Sequence, residues 1–101
     1  MLEEDRRVIR SYEARMIKEY QDLKDKYEKL KAINVKRECE DRWGIPTCIQ
    51  WKCPYELLRE QQSVMGEYLH ILEQRAVIEG LDLNINLDEV VIENDHLKPN
   101  K

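Results

Sequence analysis

The stretch that decides the fold is Ile9–Leu30, "IRSYEARMIKEYQDLKDKYEKL". Ile9, Tyr12, Met16, Tyr20, Leu23, Tyr27 and Leu30 recur at steps of three and four, with Glu, Lys and Asp between them. Such spacing makes a narrow apolar seam down one side of a helix. Neither Gly nor Pro occurs in residues 1–43, and Gly44 followed by Pro46 supplies a stop. The pattern predicts a helix over residues 3–43. Its last third is the weaker part, because Asn34 puts a polar residue on the seam and Val35 is β-branched.

Working outward, "CPYELL" opens a second helix, predicted over 54–79, with Pro54 at its first position and Gly80 past its end. Leu58, Met65, Leu69, Leu72 and Ala76 form one stripe, and Leu57, Val64, Tyr68, Ile71 and Ile78 form another beside it. One partner helix covers one stripe, so the second needs a cover from the tail or from a second copy of the chain. The tail, 81–101, begins "LDLNINLD", whose alternation reads as a half-buried strand. "LDEVVIEN" reads as a second strand or a helical turn, and "DHLKPNK" as a frayed end. The expectation is a single all-α domain over 1–101. It is an antiparallel two-helix hairpin with a Cys/Trp loop at 44–53 and a short tail open to β structure, and it oligomerises.

The segment "RECEDRWGIPTCIQWKCPYELL" (37–58) holds all three cysteines and both tryptophans. The spacing C-x8-C-x4-C lacks the close pairs and the fourth ligand of a structural zinc site, so no metal or other cofactor is expected. Cys39, Cys48 and Cys53 read as small buried hydrophobes. Trp43, Ile45, Ile49 and Trp51 read as a satellite cluster folded over the end of the hairpin, with a lid for a ligand or partner as the alternative.

The chain has 101 residues and a net charge of −4, unevenly spread. Residues 1–37 carry eleven basic against eight acidic side chains, and residues 38–101 carry six against thirteen. A basic helix beside an acidic one accounts for this, as do an anionic ligand at one end and a basic partner at the other. No apolar run is long enough to span a membrane, and the N-terminus lacks a signal sequence's apolar core. A cytoplasmic protein without a membrane partner is therefore expected. No phosphate-binding loop, dinucleotide fingerprint or HExxH motif occurs, Ser11 and Ser63 lack a nucleophile's context, and an enzyme is not expected.

"DRRVIRSYEAR" gathers Arg6, Arg7, Arg10 and Arg15 around Tyr12. Arginine offers a planar fork to phosphate and tyrosine a face to a base, so Arg6, Arg7, Arg10 and Tyr12 are the candidate ligand-binding residues. Neighbouring acids that pair the arginines, and a Tyr12 packed in the seam, are the structural alternatives.

"RMIKEYQDLKDKYEKLKA" (15–32) and "LLREQQSVMGEYLHILEQRAVIEG" (57–80) together resemble the phage helical-hairpin proteins grouped with the anti-CBASS and anti-Thoeris nucleotide sponges. The matching positions are Leu23, Lys26, Leu30, Leu57, Leu58, Gln61, Met65, Tyr68, Leu72 and Arg75. The resemblance implies a bacteriophage protein of the host bacterial cytoplasm that forms homo-oligomers. It also implies that cyclic nucleotide signals are sequestered without being turned over. The alternative is a small acidic inhibitor that covers a host defence protein or a nucleic-acid enzyme. Nucleic acid itself is not an expected partner.

Overall fold

The computed structural model describes residues 7–93. Among them run β1 (Val8–Arg10), α1 (Ser11–Trp43), α2 (Tyr55–Glu79), a single 3-10 turn (Leu87–Glu89) and β2 (Val91–Glu93). The described residues are mostly helical, with two helices and a short two-stranded parallel sheet. These residues divide into two compact units, one made of the segments up to Asp22 and from Leu72 onward, the other of Leu23–Ile71.

In the first unit the helix expected from residue 3 starts at Ser11. Two causes are visible. Val8 and Ile9 are β-branched and are drawn into the parallel ladder, where Val8, Ile9 and Arg10 sit opposite Val91, Ile92 and Glu93. The Arg10 backbone N–H then donates to Glu13 Oε1 at 2.9 Å, the reach-back half of a capping box, which fixes the first helical turn. Residues 3–6 of the expected helix lie outside the described residues.

The core of this unit is Ile9, Ala14, Met16, Ile17, Tyr20, Leu72, Ala76 and Leu83. Ile17 and Leu72 are its most enclosed members, each 1% exposed. Ala14 and Ile17 lie off the narrow seam and are buried all the same. The Gln21 side-chain amide holds the segment after α2 by donating to the carbonyls of Leu83 (3.0 Å) and Ile85 (2.8 Å). The same segment corrects the strand expected for Leu81–Asp88. Asp82 Oδ1 accepts from the Asn84 N–H and Asn86 Oδ1 from the Asp88 N–H, both at 3.0 Å, so side chains claim the backbone groups a ladder would need. The strand forms later, at Val91–Glu93. The end read as frayed, from Asp95 on, lies outside the described residues.

In the second unit the α1 and α2 segments run antiparallel: Tyr27 lies against Gly66, and Asn34 further along α1 meets Gln62 and Leu58 further back along α2. Gly66 permits the approach, since a Cβ there would stand 3.2 Å from the Tyr27 ring. Leu69 is buried, and Leu23, Tyr27, Leu30, Leu58 and Met65 are half-buried. Leu57, Val64, Tyr68 and Ile71 of the second α2 stripe are exposed. Pro54 precedes the helix, its carbonyl accepting from the Leu58 N–H at 3.2 Å, so α2 begins one residue later than expected.

The satellite cluster expected of the loop is not formed. Trp43 is 70% exposed and Ile45 is exposed too. Gly44, with φ 67°, ends the helix after Trp43 and turns the chain that carries Ile45 away from it. Trp51 packs differently. Its Nε1–H donates to Glu40 Oε1 at 2.6 Å, and the Arg37 guanidinium lies over its ring at 4.9 Å. Charged side chains of α1 therefore replace the aliphatic cluster as Trp51's partners. The cysteines are free thiols, and Cys48 and Cys53 are exposed, unlike the buried hydrophobes expected. Cys48 sits at φ 61° in the open loop, a backbone state set by the turn and not by packing of its side chain.

Candidate functional site

The N-terminal cluster comes first, because the sequence singles it out. Arg6 lies outside the described residues. Arg7 is half-exposed and reaches Asp82 at 3.5 Å, a long surface pair of small energetic weight. Arg10 is exposed on β1 opposite Glu93. Tyr12 is 39% exposed, so the core role open to it on the seam is not the one it takes. Arg15 is exposed as well.

Sequence reasoning missed a second candidate, which lies wholly inside the Leu23–Ile71 unit. There an open groove of about 750 Å³ is lined by Tyr27 of α1 and by Arg59, Gln62, Ser63, Gly66, Glu67, His70 and Ile71 of α2. That volume is of the size of small-molecule sites. The α2 residues recur at three- and four-residue steps, so one helix face presents a guanidinium, an amide, a hydroxyl and an imidazole in a row. Tyr27 closes the opposite wall, its ring 3.2 Å from where a Cβ at position 66 would stand. The signal in the sequence was this polar row, Arg59, Gln62, Ser63 and His70, running beside the apolar stripes.

A smaller pocket of about 160 Å³ adjoins it and shares Arg59 and Gln62. Its floor holds Asn34, whose side-chain amide donates to Gln62 Oε1 at 2.8 Å and to the Leu58 carbonyl at 3.3 Å. A run of stacked groups orders this end of the unit. The Arg37 guanidinium lies over both Trp51 (4.9 Å) and Tyr55 (5.5 Å), and the Arg59 guanidinium lies over Tyr55 at 5.7 Å. Arg37 Nε also meets Asp41 at 3.4 Å. Each stack is worth about 0.5–1 kcal/mol at such half-exposed positions, and together they hold Arg59 at the junction of the two pockets. The arrangement can bind an anion at Arg59 and a flat ring against Tyr27. Glu67, on the same wall, disfavours an anion there and confines it to the Arg59 end.

No helix among the described residues is long and apolar enough to cross a membrane. No curated protein and no solved structure matches the chain. A family model described as Sequestin matches residues 10–78, more than half of the sequence, and the chain belongs to that family. The matched segment contains every residue of the groove and of the smaller pocket, whereas Arg6 and Arg7 precede it.

Proposed function

We propose that this Sequestin-family chain captures a cyclic nucleotide second messenger, one molecule per site and without turnover, and so blunts a defence signal in the cytoplasm of a phage-infected bacterium. The observation that carries the reading is the groove with Arg59 at one end and Tyr27 on its wall, within the segment the family model matches. A phosphate requires a cation and a base requires a flat apolar face, and this groove offers one of each. The family description, Sequestin, suggests sequestration, and the resemblance of 15–32 and 57–80 to phage nucleotide sponges supports a cyclic nucleotide as the ligand. The exposed stripe of Leu57, Val64, Tyr68 and Ile71 supports homo-oligomers, with copies of the chain covering it.

Isothermal calorimetry with cyclic dinucleotides, cyclic oligonucleotides and cyclic ADP-ribose tests the reading. At least one is expected to bind at micromolar affinity or better and to be recovered intact after protein denaturation. Arg59→Glu is expected to weaken that binding at least tenfold, about 1.4 kcal/mol. Arg10→Glu separates this site from the N-terminal cluster: a larger loss there than at Arg59 moves the site to Arg7, Arg10 and Tyr12.

A second reading has its own observation. The same exposed stripe is bordered by Glu56, Glu60 and Glu67, the pattern of an acidic surface that covers a basic patch on a host enzyme. Under it no nucleotide binds, and Val64→Glu abolishes inhibition of that enzyme.

A further inference from the structure

Asn34 is 4% exposed, the one polar residue among the buried side chains described. Its amide nitrogen is fully engaged, donating to Gln62 Oε1 and to the Leu58 carbonyl. Its Oδ1 is enclosed and has no hydrogen-bond partner. Exchanging the two amide ends would bring Oδ1 against the Leu58 carbonyl, acceptor on acceptor, so the assignment is fixed by its neighbours. A buried acceptor left unmet is unfavourable, and only a donor relieves it.

The surroundings say which donor. Beside Asn34 stand Glu38, a second acceptor, Tyr55, a flat face, and Arg59, the cation shared with the larger groove. At about 160 Å³ the pocket is too small for a whole nucleotide and large enough for one edge of a base. Amide and carboxylate oxygens accept from exocyclic amino groups, as they do when proteins read adenine and cytosine. A keto oxygen at the same place would face Oδ1 and be repelled.

We infer that the pocket beside Asn34 is a base-reading subsite of the groove, and that it selects a base carrying an exocyclic amino group. The inference rests on the sequestration reading and names the chemistry of its ligand. The amino group docks on Asn34 Oδ1 when the exposed side chain of Lys31 at the rim turns aside, and the adjoining phosphate remains with Arg59. Gln62, holding the Asn34 nitrogen, keeps the oxygen pointed at the ligand and acts as a positioning residue.

The test is calorimetry on the full chain with matched ligands: cyclic di-AMP and cyclic di-GMP against cyclic di-IMP, and cyclic ADP-ribose against its inosine counterpart. In whichever set binds, an amino-bearing ligand is expected to bind at least tenfold more tightly than the inosine ligand. Asn34→Leu is expected to shrink that ratio to threefold or less, with circular dichroism confirming the fold. Should Asn34→Leu not fold, the ratio in the parent and its reduction in the exposed-site variant Glu38→Gln decide instead. Equal affinity for amino and inosine ligands in the parent overturns this inference and leaves sequestration standing. Failure of all five ligands and of the cyclic oligonucleotides to bind overturns both.

Discussion

Ile17 and Leu72 carry much of the first unit's stability, since each is enclosed on all sides in a core of few residues. Ile17→Ala is expected to destabilise that unit by about 2–5 kcal/mol, read as a lower midpoint in urea unfolding. Tyr20 adds a pH-dependent contribution. Burial, and then its hydrogen bond to Glu73 (2.8 Å) and that carboxylate's charge, push the phenol up to about 12 from its usual 10.0. The unfolded chain loses this proton near pH 10 while the folded chain keeps it to about 12. The stabilisation is thus whole below pH 10 and is lost as pH rises through that window. Tyr20→Phe should cost about 1 kcal/mol at neutral pH, Glu73 being exposed, and should flatten the loss of stability between pH 10 and 12. At this scale Met16 and Tyr20 were legible from the seam. Ile17 was not, because it lies off the seam, in a unit that also takes in a segment more than sixty residues away in sequence, held by the side chain of Gln21.

Among the elements, the close approach of Tyr27 to Gly66 links helix packing to the groove wall. Gly66→Ala gains about 1 kcal/mol of helix propensity yet pushes on a ring 3.2 Å away, which must give by a few tenths of an ångström. The expected outcome is an unchanged or higher melting temperature with weaker nucleotide binding. Equal losses of both would mean that Tyr27 serves packing alone. The Trp51 contacts make a separate prediction. With Trp43→Phe removing the exposed indole, Glu40→Ala should red-shift the remaining Trp51 emission, because the ring loses its acceptor and loosens from Arg37. The stop at Gly44 and the turn at Gly80 were readable because φ values of 67° and 73° favour glycine. The tail was misread because alternation of Leu and Ile says nothing about where Asp82 and Asn86 send their side-chain oxygens. The start of α1 was misread because the parallel partner of Val8–Arg10 lies at the other end of the chain.

For the molecule as a whole, the exposed apolar stripe predicts self-association, and Val64→Glu should shift sedimentation at tens of micromolar toward the single chain. A parent that sediments as a single chain at those concentrations removes the oligomer from the proposal. The candidate site was only half legible in the sequence. Arginine beside tyrosine at the N-terminus was the pattern sought in the sequence, but a groove needs two helices to face each other, and the pairing of Tyr27 with the row from Arg59 to His70 is set by packing that sequence spacing does not specify. Sequestration itself is tested most directly by calorimetric titration of the parent and of Arg59→Glu with a panel of cyclic nucleotides. The account predicts saturable binding by the parent, a fixed stoichiometry, ligand recovered unaltered, and at least a tenfold loss in Arg59→Glu with the fold intact. Binding of equal strength in the two proteins, or a ligand consumed in the cell, would contradict it.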